Sequence, residues 1–443
     1  MKKPEKLSIN KVIYLLDQFI EGEIVNLDRI NRQDPGTFHY YTEIVRYWSK
    51  LNYVFQKTLR AVKLVDLPEK ERAKFIYIIY RILEENASIN NIKEELDLSK
   101  IQEFKISHFI NKLISFSWKR ALNGKAYREK LSIKEAIPTF FIDRLLPYTS
   151  IDFLKENVRS MNRYHTYKNF LRISNLRKSF SANAIFKDLK QELKTYHIAL
   201  KQDQEIPELI DTPYDIKSKV LETKSYKSGN LVFQDKGSVA VVKVLSPQKY
   251  ESICDMCAAP GNKTNLIAQD TFNQARIIAG EFLSNRVYEM AKRIDPDSFR
   301  NIHLINTDSI QFPSRFENYF DRVLLDAPCT GSGTFVTNPE LKWRQNWDFL
   351  YQNITLQEKL IRSALRLLKP NGIFVYSTCS LYPEEGELQI LKFLEQLEPL
   401  KLPAWFSPSY KINDQVIAGT GRLFPALHHT HGFFIGKFKK KEA

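Results

Sequence analysis

"LLDAPCTGSG", residues 324–333, decides how this chain is read. It is an apolar run that ends in an acid, a proline and a cysteine, then breaks into glycines. A continuous apolar run is what a parallel strand covered on both faces requires. A second stretch, "VYSTCSLYPEEGE" at 375–387, has the same layout of strand, cysteine and polar turn. The chain has only four cysteines in 443 residues. Two of them stand just past the ends of expected strands, and ligands of doubly wound sheets bind at those ends. These two thiols are expected to face one substrate.

Outward from these stretches, strand, turn and helix alternate from about Tyr250 onward. Candidate strands are "ESICDM" (251–256), "ARIIAGE" (275–281), "IHLINTD" (302–308), "DRVLLDAP" (321–328) and "GIFVYSTC" (372–379), with a late pair within 422–439. Residues 246–443 are therefore expected to form an α/β Rossmann-like domain. Residues 1–130 read as a helical bundle. "EIVRYWSKLNYVFQKTLRAV" (43–62) carries Ile44, Trp48, Leu51, Val54, Phe55, Leu59 and Val62 at helical spacing. Residues 135–245 mix helical patches with short strands such as "NFLRIS" (169–174) and "GNLVFQD" (229–235), as a small α+β module would.

A chain of this length is expected to hold two or three domains. It has no run of 18 apolar residues, and its N-terminus has no apolar signal core, so a cytoplasmic protein without a membrane partner is expected. Four scattered cysteines do not make a disulfide framework. Residues 1–200 hold 36 Lys/Arg against 23 Asp/Glu, and residues 101–200 alone hold 19 against 8. Aromatics are interleaved there, in "SFSWKRALNGKAYREK" (115–130) and "NRYHTYKNFLRISNLRKSF" (162–180). Basic charge with stacking side chains is the footprint of a nucleic-acid surface. Lys119, Arg120, Arg172 and Arg177 are the expected nucleic-acid contacts.

Each candidate strand ends in a residue suited to a ligand. The first runs into "CAAPGNKT" (257–264), where small residues let a backbone approach a ligand. One glycine does not meet G-x-G-x-x-G, and there is no phosphate-loop G-K-[ST]. Glu281, 24 residues after Cys257, has the spacing of an acid that takes ribose hydroxyls. Asp308, Asp326 and Cys379 follow at later strand ends. A nucleoside-bearing cofactor without a pyrophosphate, S-adenosylmethionine, fits this set. Singly, each acid is equally a helix cap or loop residue.

"DMCAAPGNKT" (255–264), "LLDAPCTGSG", "PELKW" (339–343) and "VYSTCSLYPEEGE" together resemble the RsmB/NOP (Sun-domain) family of RNA cytosine-C5 methyltransferases. "LVFQDKGSVA" (231–240) resembles the family's entry into the catalytic domain, and "FLRISNLRKS" (170–179) its RNA-binding module. The helical N-terminus, best in "ERAKFIYIIYRILEENASINNI" (71–92), is similar to the NusB-like domain of bacterial-type members. The resemblance implies a class I methyltransferase domain, an RRM-like module and S-adenosylmethionine as cofactor. It also implies an RNA substrate, rRNA in preference to tRNA, and a monomer is expected.

Carbon 5 of cytosine is a poor nucleophile. A thiolate that adds to carbon 6 makes the ring an enamine, and carbon 5 can then attack a methyl sulfonium. The thiolate needs neighbouring positive charge. Spacing leaves open which cysteine does what. The resemblance implies that Cys379 is the nucleophile, that Cys329 assists product release, that Asp326 holds the base and that Lys263 lies beside it. It places the cofactor on Cys257, Ala258, Ala259, Pro260, Gly261, Asn262, Lys263, Glu281, Arg286, Asp308 and Asp326. Asn262 stands where the family has a second glycine, which predicts a less permissive loop, and His431 where an acid often stands. Cys254-x-x-Cys257 mimics a zinc or redox pair, but Cys254 is read as core and no metal is expected. The competing readings are a catalytically silent RNA-binding assembly factor, a zinc or redox protein, and an amine methyltransferase.

Overall fold

In the computed structural model the described residues are 6–23, 25, 34–60, 62–69, 71–96, 103–163, 167–174, 182–198, 200–213, 216–294 and 300–442. They form two compact units, one of residues 1–143 with 338–344, the other of residues 144–337 with 345–443. The first boundary cuts through the basic region, and the expected α+β module shares a unit with the catalytic sheet.

The first unit is helical. Lys6–Ile20, Pro35–Arg46, Trp48–Thr58, Glu71–Leu83 and Glu103–Ile114 are its longer helices. Val12, Leu16, Ile44, Leu51, Phe55, Ile76 and Phe109 share its core. Pro35 opens its helix at the first turn, and the Asp34 carboxylate accepts the Thr37 N–H at 2.9 Å. The helix expected across 43–62 divides at Tyr47 (φ −100°, ψ 12°), which ends one helix and starts the next. The segment Pro339–Arg344, which contains "PELKW", belongs to this unit. The buried Lys342 amine, its pKa pushed well down by burial, donates to the carbonyls of Arg46 (3.1 Å) and Ala136 (3.3 Å). The Trp343 indole N–H donates to that of Val45 at 2.7 Å. N–H donors are what the last carbonyls of a helix lack.

The second unit holds two sheets. The smaller has β1 (Asn169–Ile173), β2 (Lys201–Gln202), β3 (Leu209–Thr212) and β4 (Leu231–Phe233), in the antiparallel order β2-β3-β1-β4. With helices Ala182–Glu192 and Lys217–Glu222 in the crossovers, its chain order is β-α-β-β-α-β. Both faces of β1 are covered. Leu171 and Ile173 pack with Ile185 and Leu189, while Phe170 joins Leu209, Val239, Leu266 and Ile267 of the larger core.

The larger sheet contains β5 (Ser252–Asp255), β6 (Arg276–Glu281), β7 (Ile302–Asn306), β8 (Phe320–Asp326), β9 (Leu368–Thr378), β10 (Leu397–Pro399), β11 (Ser407–Pro408), β14 (Thr420–Leu423) and β15 (Phe433–Lys440). The short β12 (Lys411–Ile412) and β13 (Gln415–Val416) pair with each other. The order is β7-β6-β5-β8-β9-β15-β14-β11. Neighbours from β7 to β9 are parallel, and β15 returns antiparallel to β9. Ile253, Leu324 and Val375 face one core, and Cys254, Val323, Leu325, Phe374 and Tyr376 the other. That two-sided burial explains the unbroken apolar runs. The chain moves from β5 out to β7, then returns to β8 on the other side of β5. This is a topological switch point, where such sheets bind ligands beyond the strand ends.

Candidate active site

The two strand-end thiols meet. Cys329, past β8, and Cys379, past β9, are both free, half-buried, and 3.2 Å apart at sulfur. β8 and β9 are adjacent and parallel, with Asp326 opposite Ser377, so both loops leave the sheet at the same edge. Asp326 is held at both oxygens, by the Ser377 hydroxyl at 2.6 Å and by an ion pair with Lys263. Burial disfavours the Lys263 charge, but Asp326, with Asp255 and the Cys379 sulfur further off, raises its pKa above the ordinary lysine value. A fixed ammonium therefore lies in the field of Cys379. The hydrogen bond with Cys379 and then burial push the Cys329 thiol well up, which keeps its proton on.

The Cys329 loop is braced from β9's far side. Glu385, fully buried, accepts the Thr330 N–H at 2.9 Å and the Gln357 amide at 3.0 Å, and the Thr330 hydroxyl donates to its other oxygen. Burial raises the Glu385 pKa against these donors. Gly333 N–H donates to the Cys379 carbonyl at 3.0 Å, and Gly432 N–H to the Gly333 carbonyl at 2.9 Å. His431, in that last loop, meets the Thr337 hydroxyl at 3.0 Å and stacks on Tyr167. Arg422 and Glu387, both with 0% side-chain exposure, pair at 2.6 Å, and Arg422 also donates to the Ser380 carbonyl at 3.1 Å. The segment after Cys379 is thus pinned too.

Residues 256–261 form the turn after β5. The Ala258 N–H donates to the Gly280 carbonyl at 3.0 Å, and Gly261 has φ +99° before the helix Asn262–Asp270. Only Gly261 needs the left-handed region here. Asn262 is the first residue of that helix. Glu281, buried at the end of β6, accepts the Leu283 N–H at 3.0 Å and pairs with Arg286 at 3.2 Å. Arg286 also donates to the Ala259 carbonyl at 3.1 Å, tying two strand ends together. Asp308 caps the short helix Ser309–Gln311 through the Ile310 N–H at 2.9 Å. Cys254 is buried in the core, and burial raises the pKa of both it and Cys257, the opposite of a reactive or ligating pair.

The RNA contacts expected from charge divide. Lys119 and Arg120 are exposed on the helix Trp118–Ala121. Arg172 corrects the expectation: it is 1% exposed and donates to Gln234 at 2.7 Å and to Gln269. Strand alternation places it on the Phe170 face of β1, against the catalytic core, and burial lowers its pKa to about 10. Arg177 lies outside the described residues. Sequence reasoning missed Ser377, Glu385, Gln357 and Asp255. Asp255 is 1% exposed, accepts the Thr264 hydroxyl at 2.7 Å, and leaves its other oxygen without a hydrogen-bond partner. Three of the four, Asp255, Ser377 and Glu385, lie within the quoted motifs.

The family model described as 16S rRNA methyltransferase RsmB/F matches residues 242–439. A tRNA (cytosine(49)-C(5))-methyltransferase of Pyrococcus abyssi is 36% identical over 228 residues, 48% of this chain and 72% of that protein. The chain belongs to the RsmB/NOP family of RNA cytosine-C5 methyltransferases. A probable ribosomal RNA small subunit methyltransferase B of Synechocystis is 35% identical over 224 residues, 50% of each chain. The chain thus spans about half the length of that RsmB-type relative. The solved structure of PH0851 covers 99% of both chains with a TM-score of 0.78 at 25% identity. That of a methyltransferase homolog from Pyrococcus horikoshii covers 71% of this chain and 98% of its own, with a TM-score of 0.58 at 28% identity. The family's Rossmann-like domain is the sheet from β5 to β15.

Proposed function

We propose that this protein transfers a methyl group from S-adenosylmethionine to carbon 5 of a cytosine in RNA, with rRNA as its substrate. The observation that carries the reading is the pair of sulfurs 3.2 Å apart beside the Lys263–Asp326 ion pair. The cofactor supplies an electrophilic methyl group. The residues present suit it: Glu281 ends β6, Asp308 stands two residues past β7, Gly261 closes the turn after β5, and Asp255 holds a buried oxygen that lacks a donor. Asp326 accepts from the exocyclic amine of cytosine, a donor that uracil lacks. Lys263, ion-paired with Asp326, brings positive charge to the site where the nucleophilic sulfur reacts. The Cys379 sulfur adds to carbon 6 and carbon 5 becomes nucleophilic. After methylation the carbon 5 proton leaves and the carbon 6–sulfur bond breaks, and Cys329, 3.2 Å from the leaving sulfur, assists that release.

The helical unit, read as NusB-like, and the β1–β4 module, RRM-like in connectivity, are the RNA-holding parts. The Synechocystis relative supports rRNA. The Pyrococcus abyssi relative supports tRNA as the second reading. The test is a denaturing gel of RNA incubated with protein and cofactor. Cys379→Ala gives neither methylation nor a gel-resistant complex, Cys329→Ala retains RNA covalently, and the double variant retains none. RNA retained by Cys379→Ala with Cys329→Ala silent reverses the roles. Methylation by both single variants without retention removes the thiols from the chemistry. Bisulfite sequencing of rRNA and tRNA from cells with and without the gene separates the two substrates.

A further inference from the structure

Away from the thiols, the helical unit encloses a cavity of about 300 Å³. Its lining includes Phe19, Tyr41, Trp48, Trp343, Glu340 and Arg344, all of that unit. Tyr41 is 2% exposed and marks the floor, whereas Arg344 is exposed and marks the mouth. The walls are fixed: Phe19 meets Trp48 edge-on at 5.2 Å, and the Trp343 indole is anchored on Val45. One oxygen of Glu340 is buried with no hydrogen-bond partner. Tyr41 and Glu340 both line the cavity. A hidden carboxylate oxygen without a donor is unfavourable, and a ligand that brings a donor relieves it.

The ligand that fits is flat, aromatic and edged with N–H groups. We propose that this cavity takes one unpaired nucleobase of the RNA, guanine in preference, stacked on the indole walls with its N–H edge on Glu340. Unstacked bases are recognised in this way, by aromatic stacking and hydrogen bonds to the base edge. Guanine presents two adjacent N–H donors, which match the two oxygens of a carboxylate. Uracil presents one N–H between two carbonyls, which face a carboxylate unfavourably. An amine or guanidinium also suits aromatic rings and an acid. Arg344, within Coulombic reach of Glu340 at the mouth, suits a phosphate, while Glu23 adds a second acid to the lining, so the choice between base and cation is made by the titration below. Cavities of about 300–1,000 Å³ are the usual size of ligand sites.

The inference rests on RNA being the partner, but its test needs neither RNA nor cofactor, so the failure of one reading is distinguishable from the failure of the other. The full chain is titrated calorimetrically with GMP, AMP, CMP, UMP and guanosine. GMP is expected to bind more tightly than UMP. Glu340→Gln, nearly isosteric, should weaken GMP by about tenfold or more. Arg344→Ser should weaken GMP but leave guanosine unchanged. Circular dichroism checks that the variants fold, and if Glu340→Gln does not, Trp48→Phe gives a second measure through lost stacking. No GMP binding, equal binding of UMP, wild-type affinity in the folded variants, or tighter binding of an arginine amide than of GMP would each overturn the proposal.

Discussion

Replacing Glu385 tests whether the Cys329 loop is positioned by a buried carboxylate. One Glu385 oxygen accepts two N–H donors, from Thr330 at 2.9 Å and Gln357 at 3.0 Å, in a site with no solvent exposure. Glu385→Leu leaves both donors without that acceptor. At about 1–3 kcal/mol for each buried orphan, the fold should lose about 2–6 kcal/mol. Glu385→Gln keeps one oxygen for those donors and turns its amide toward the Thr330 hydroxyl, which can accept. Burial already raises this carboxyl's pKa, so removing its charge costs little. The glutamine variant should lose only about 1 kcal/mol. Urea unfolding measures the difference. The chemical consequence is separate: Glu385→Leu frees Thr330, moves Cys329 from Cys379, and should retain RNA on a denaturing gel as Cys329→Ala does, whereas the glutamine variant should release it. Equal unfolding midpoints for the two variants would refute the acceptor argument. A destabilised leucine variant that still releases RNA at the wild-type rate would refute the positioning argument.

Burial pushes the Asp255 pKa from 3.8 up to about 6, so its stabilising contribution is full below the unfolded value and is lost as pH rises through that window. Asp255→Asn should be more stable than wild type by up to about 3 kcal/mol near pH 8 and equal to it at about pH 3, and identical melting temperatures near pH 8 would contradict this. A Cβ on Gly333 would lie 2.2 Å from the Gly432 carbonyl oxygen, a backbone atom that cannot rotate away. Gly333→Ala should lower both the melting temperature and the methylation rate, and an unchanged rate would show that the two loops part without cost.

The sequence alone determined the local features. Alternating strand and helix, residues suited to strand ends, and the Gly261 turn each depend on a few neighbouring residues. Glu281 and Asp326 do end their strands, because an apolar run stopped by an acid is a local pattern, whereas β7 stops at Asn306, two residues before Asp308. Asp308 is also the cap that the plainer reading allowed. The meeting of Cys329 with Cys379 could be expected from their parallel layout, but the 3.2 Å separation depends on β8 and β9 lying side by side in register. Ser377 and Glu385 were missed for the same reason, since their partners lie 51 and 55 residues away. Arg172 shows the limit most clearly. Its charge made it a candidate for RNA, yet alternation along β1 and the docking of that sheet on the catalytic core bury it against Gln269. "PELKW" likewise caps a helix nearly 300 residues earlier in the chain. Charge and spacing are properties of the chain, but burial and hydrogen-bond partners depend on which surfaces the crossovers bring together, and only the tertiary structure decides that.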